Sequence, residues 1–106
     1  MIWVKIKTRE GKICSIEITG HAEFAEHGKD IVCAAVSSIG TGLLNAIDEM
    51  CPGDCDLLMG DNLIKIEVIH DSEKLQSILN TGYYQFKTVS KSFNLYVRVR
   101  KSEVRK

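Results

Sequence analysis

Residues 30–53, DIVCAAVSSIGTGLLNAIDEMCPG, decide the fold. Apolar side chains fall at Val32, Val36, Ile39, Leu43, Ala46, Ile47 and Met50. Those steps of three and four predict one amphipathic helix of about six turns. Asp30 suits the N-cap, and Pro52-Gly53 stops the helix. Gly40 and Gly42 lie inside it, and each costs roughly 1 kcal/mol against alanine. Close approach of a second helix or a strand would offset that cost.

Working outward, the flanking segments have the period of strands. Ile2, Val4 and Ile6 share one face, with Trp3, Lys5 and Lys7 on the other. After a turn at residues 9–12, Cys14, Ile16 and Ile18 alternate with Ser15, Glu17 and Thr19, so the two runs form a hairpin with Cys14 in the core. Residues 20–29 carry Gly20 and Gly28 without a sustained period and read as a loop. Beyond the helix, residues 56–59 and 63–69 flank Gly60-Asp61-Asn62 as a second hairpin, with Ile64, Ile66 and Val68 inward. Asp71 or Ser72 caps a second helix that runs to about Val89 and buries Leu75, Ile78, Leu79, Tyr83 and Phe86, while Gly82 makes room for the first helix. A last strand is expected over residues 93–99, with Phe93, Leu95, Val97 and Val99 inward. The order β-β-α-β-β-α-β predicts a two-layer α+β domain: a mostly antiparallel sheet with two helices packed on one face. Its open edges are a liability that a homodimer would cover.

A chain of 106 residues, 44% apolar and 26% charged, suffices for one core, so residues 1–106 are read as a single domain. Lys plus Arg and Asp plus Glu balance at 14 each, which gives no global charge to draw the protein to nucleic acid or anionic lipid. The basic tail from Arg98 to Lys106 reads as a solvated terminus. Residues 1–7 alternate and are no signal peptide, and no segment reads as the ~20 apolar residues of a membrane span. The expectation is a cytoplasmic protein with no membrane contact and four free thiols. Cys51 and Cys55 have no second Cys or His pair at ligand spacing, so neither a metal nor a cofactor is expected.

The chemistry sits at the two ends of the 20–29 loop. His21 ends a strand and Cys33 begins a helix, the minimum for turning a thiol into a nucleophile with a general base. With Asp30 as N-cap, Cys33 is the third helical residue, where backbone N–H groups lack intrahelical partners and the dipole is positive. Those amides, including that of Cys33, could bind an oxyanion. Asp30 is read as a cap ahead of any role in orienting His21. Ser37 lies one turn beyond Cys33, where its hydroxyl could bond the histidine or a substrate, although a plain helix serine fits equally. His27 lies mid-loop and His70 reads as structural. A cysteine beside Ala and Val is also an ordinary small core residue, and the residues alone leave both readings open.

Gly20-His21-Ala22, then Gly28 and Asp30-Ile31-Val32-Cys33-Ala34-Ala35-Val36-Ser37, resemble the two signature motifs of the ribosomal-processing cysteine proteases, the Prp family. The similarity runs over nearly the whole chain, in length, element order and the Asn45-Ala46 region. The resemblance implies that Cys33 is the nucleophile, His21 the general base and Asp30 a motif residue near the site. It implies as substrate the short N-terminal extension of a large-subunit ribosomal protein, number twenty-seven, removed in support of ribosome assembly. It also implies an apolar groove beside Cys33, a mobile loop over the site and a homodimer. The chain departs from the family chiefly within the loop, at residues 23–27.

A different class, a non-catalytic ribosome-associated or RNA-binding module, would use Lys5, Lys7, Lys65, Arg98 and Arg100 on the outer sheet face. Glu17 and Glu67 interleave with them, which favours a solvated face without direct nucleic-acid binding. A thiol redox protein would need a Cys-x-x-Cys motif, and the chain has none.

Overall fold

The computed structural model describes residues 1–20 and 29–105. Strands β1 (Ile2–Arg9) and β2 (Lys12–Thr19) form an antiparallel hairpin. Its turn is Glu10-Gly11, both at positive φ (53° and 79°). Helix α1 (Lys29–Met50) follows, then the antiparallel hairpin of β3 (Cys55–Gly60) and β4 (Leu63–Val68), helix α2 (Glu73–Ser92) and β5 (Val97–Glu103). The element order is the expected one. The five strands make one sheet in the order β3-β4-β2-β1-β5. Of its four pairings, β1 with β5 is parallel and the rest are antiparallel, so the sheet is mixed.

The core lies between the helices and one face of the sheet. Val4, Ile6 and Ile16 of the sheet meet Val32, Val36 and Ile47 of α1 and Leu75, Leu79 and Phe86 of α2, all buried. Two glycines set how closely the layers approach. A Cβ on Gly40 would stand 2.8 Å from Ile64 Cδ1 and 3.0 Å from Ile18 Cδ1, which seats α1 on β4 and β2. A Cβ on Gly82 would stand 2.5 Å from Leu43 Cδ1, which seats α2 on α1. Gly42 has nothing within 4 Å, and the helix crossing does not account for it. Ser72 caps α2 as expected, its side chain accepting from Leu75 N at 3.1 Å. By length and composition, α1 is apolar enough over Ile31–Met50 to cross a membrane, contrary to the sequence reading. In this fold its apolar stripe lies on the sheet.

Three local expectations are corrected. The register of β1 against β2 shifts at Lys7/Thr8, so Ile13, not Cys14, takes the core place opposite Thr8, and Cys14 is half-buried at the bulge. Gln76 clamps this point: Ile13 N–H donates to its Oε1 at 2.9 Å and its Nε2 donates to Ile13 O at 2.7 Å. The last strand begins at Val97, not residue 93. Helix α2 runs to Ser92, Phe93 N–H closes it on Val89 O at 2.9 Å, and a turn through residues 93–96 leaves Leu95 74% exposed. The third correction concerns the start of α1. Lys29 is already helical where the described residues resume, so Asp30 lies inside α1 and not at its N-cap.

Candidate active site

Cys33 therefore lies at least five residues into α1, beyond the third position expected. Its amide joins the i→i−4 ladder and is not free to bind an oxyanion. The side chain is half-buried and packs against the core from the boundary of the apolar stripe, between buried Val32 and exposed Ala34. A thiol there is held in place by its neighbours and can still be reached.

Cys33 opens onto a cavity of about 310 Å³. Ser37, one helical turn on and exposed, lines the same cavity, as does Gly20 at the end of β2. Gly20 has φ +86°, and a Cβ there would collide with the carbonyl oxygen of Met1. Only glycine fits at this point, at the end of β2 and against Met1. The rest of the wall is largely apolar, with Ile18 from β2, Ile64 from β4 and Met59 from β3. Cys33, Ser37 and Gly20 are thus brought together. His21, Gly28 and His27 lie outside the described residues.

The other titratable groups sit elsewhere. His70 is exposed, and its backbone N–H donates to the Asp54 carbonyl at 3.0 Å. Cys51 is buried, and burial, then Asp54 and Cys51, push the Cys55 thiol up to about 11, which keeps it protonated and inert. Among the described residues no group of His, Cys, Asp and Glu is arranged to hold a metal. On the outer sheet face, Lys65 donates to Glu67 at 3.1 Å, and that bond, helped by Glu17, raises the ammonium pKa. This local pairing is what a solvated, interleaved face should show.

Sequence reasoning missed the wall contributed by the β3–β4 hairpin. Its signal was the run Leu57-Leu58-Met59, apolar at consecutive positions where a half-exposed strand should alternate.

Comparison with known proteins gives this geometry a context. The family model described as "Cysteine protease Prp" matches residues 1–98. The ribosomal processing cysteine protease Prp of Staphylococcus aureus is 31% identical over 105 residues, 93% of this chain and 97% of that protein. The Bacillus subtilis protein of the same name is 50% identical over 48 residues, a match that spans only 43% of that relative and 44% of this chain. Among solved structures, the essential S. aureus ribosomal processing protease Prp with a covalently linked product peptide superposes with a TM-score of 0.85 at 30% identity, covering 95% of this chain and 99% of that one.

Proposed function

This chain belongs to the Prp family of ribosomal-processing cysteine proteases, and from that premise we propose that it removes the short N-terminal extension of the large-subunit ribosomal protein number twenty-seven, with Cys33 as nucleophile and His21 as general base. The carrying observation is that Cys33 and Gly20 line one cavity, and His21 is the covalent neighbour of Gly20.

In the proposed reaction His21 takes the thiol proton and Cys33 Sγ attacks the scissile carbonyl carbon. The C–N bond breaks as His21 passes that proton to the leaving amine, and a thioester to the extension remains on Cys33. Water, deprotonated by the same histidine, adds to the thioester and releases the extension as a carboxylic acid with the thiol restored. We assign the donor role toward the substrate carbonyl to the Ser37 hydroxyl, because Ser37 lines the Cys33 cavity one helical turn on while the Cys33 amide belongs to the helical ladder. The S. aureus relative has been solved with a covalently linked product peptide, which supports a covalent step in the reading. Asp30, inside α1, and Gly28 complete the motif. We place the enzyme in the cytoplasm as a homodimer, which would protect the free edges of β3 and β5.

A synthetic peptide spanning the ribosomal-protein extension should be cut once by the purified protein. Cys33→Ala and His21→Ala should each abolish the cut, and cleavage that survives Cys33→Ala would end the proposal.

A further inference from the structure

The sheet has a second face, turned away from both helices, and the strand register fixes how its charges are distributed. Trp3, Lys5 and Lys7 of β1 alternate with the buried Ile2, Val4 and Ile6, so they lie on this outer face. Pairing puts Arg98 of β5 beside Trp3 and Arg100 beside Lys5. On the other flank of β1, Glu17 of β2 is opposite Lys5, and Lys65 of β4 follows beyond it. The outward carboxylates of the strands are Glu17, Glu67 and Asp56, on β2, β4 and β3. None comes from β1 or β5. Glu103, the one acid of β5, turns to the other side, where Thr8 Oγ1 donates to it at 2.7 Å. The expected interleaving of charges holds over β2, β3 and β4 and fails over β1 and β5.

Lys5, Lys7, Arg98 and Arg100 thus form a cationic strip two strands wide. All four are exposed, and none makes a salt bridge among the described residues, whereas Lys65 is paired with Glu67 at 3.1 Å. Lys5 and Arg100 are direct cross-strand neighbours of like charge, an arrangement that costs stability in the isolated chain. The chain as a whole is neutral, with 14 residues of each sign, so the strip is a segregation of charge and not a share of an overall excess. Trp3 lies at its end, half-buried, with the Arg100 guanidinium 5.4 Å from its ring centroid. Side chains two positions apart on a strand are separated by ~6.7 Å, so the strip from Trp3 to Lys7 is about 13 Å long.

We propose that this strip binds single-stranded RNA, with backbone phosphates on Lys5, Lys7, Arg98 and Arg100 and a base on the face of Trp3. Four cations without carboxylate partners, set in two adjacent rows, are complementary to a polyanion. An indole with a guanidinium beside it is a stacking platform for a base of any sequence. Strands β1 and β5 present no projecting helix or loop for a duplex groove, which selects a single strand. The Cys33 cavity lies on the helix side of the sheet, so RNA on the strip leaves the thiol accessible. The choice of RNA over DNA rests on the protease reading above, whose substrate is a ribosomal protein; the strip itself rests on the register. The enzyme thereby holds the RNA of a ribosomal particle on one face and cuts protein on the other.

The test uses the full chain and a fluorescein-labelled oligouridine of twelve nucleotides. Anisotropy titrations between about 50 and 200 mM salt should give a slope of log K against log[salt] of about −2.8, the value for four phosphate contacts on a single strand. Replacing Arg98 and Arg100 together with glutamine should weaken binding at least tenfold at the low-salt end and halve the slope. Lys74→Gln, on α2 beside Met50, should change neither. Trp3 is the single tryptophan of the chain, so its own emission should be quenched as RNA binds, and heparin, which carries no bases, should displace the RNA and restore it. An RNA duplex of the same length should bind several-fold more weakly. Absent binding at about 50 mM salt, an equal loss with Lys74→Gln, unchanged Trp3 emission, or tighter binding of oligodeoxythymidine would each overturn the proposal. So would a change in sedimenting mass of the arginine variant with no RNA binding by the wild-type chain, since a second copy would then cover the face. Cutting of the extension peptide is read in parallel. Cutting without RNA binding overturns the strip alone, and RNA binding without cutting refutes the protease reading and leaves the strip standing.

Discussion

Replacing Gly40 and Gly42 with alanine, one at a time, separates helix propensity from packing in the element that carries Cys33. In each case alanine gains about 1 kcal/mol of helix propensity. At Gly42 the new methyl group meets nothing within 4 Å, so Gly42→Ala should stabilise by that full amount. At Gly40 the methyl would stand 2.8 Å from Ile64 Cδ1 and 3.0 Å from Ile18 Cδ1. Overpacking of this kind costs about 1–3 kcal/mol, so the net change is about 0–2 kcal/mol of destabilisation. The two variants should therefore differ by about 1–3 kcal/mol, read as separated urea midpoints with an unchanged m value. In a thermal scan each kcal/mol is worth about 4 °C or more at this chain length. The double variant Gly40→Ala/Ile64→Val removes the nearest clashing atom. Ile64→Val alone should cost about 0.5–1.5 kcal/mol and should cost measurably less in the Gly40→Ala background. Ile18 and Ile64 also form part of the Cys33 cavity, so Gly40→Ala should lower peptide cleavage while Gly42→Ala leaves it unchanged. Equal stabilisation by the two alanines, or strict additivity with Ile64→Val, would refute the claim that Gly40 sets the height of α1 above the sheet.

Three further outcomes follow from local contacts. Gln76→Ala strips both backbone bonds from Ile13 at the bulge and should cost about 1–3 kcal/mol in urea unfolding, well beyond an ordinary half-exposed substitution. Ser72→Ala removes the α2 cap and should cost about 1 kcal/mol, most of it restored by Asp at the same position. Cys55 is held protonated by its surroundings, so its contribution to stability is complete below its ordinary value of 9.0 and is lost as pH rises toward about 11. Unfolding free energies measured across that window should fall more steeply for the wild-type chain than for Cys55→Ala.

Where the sequence reading succeeded, a local period and a tertiary role coincided. Ile2, Val4 and Ile6 alternate because one face of β1 is core, and the apolar stripe of α1 runs in threes and fours because the sheet lies beneath it. It failed where a local pattern did not reveal its context. Phe93, Leu95, Val97 and Val99 alternate like a strand, but the first two belong to the helix end and the turn that follows. A half-exposed strand has the same period whether its neighbour is parallel or antiparallel, so the pairing of β5 with β1 was illegible. The bulge at Cys14 depends on a glutamine sixty-three positions from Ile13, which no window of local sequence contains. At the site, Cys33 and Ser37 could be placed on one helical face from spacing alone. Asp30 could not be placed correctly, because a cap and a carboxylate inside the helix share the same sequence signal. The β3–β4 wall was missed because its role depends on how far α1 extends over the sheet.

The central claim is that a thioester forms on Cys33, and intact-mass spectrometry of the quenched reaction tests it most directly. The wild-type chain mixed with the extension peptide should gain the mass of the acyl-side product less one water, and digestion should map that adduct to Cys33. His21→Ala should accumulate no adduct on the same timescale. An adduct on Cys14, Cys51 or Cys55, or product formation by Cys33→Ser at the wild-type rate, would contradict the account.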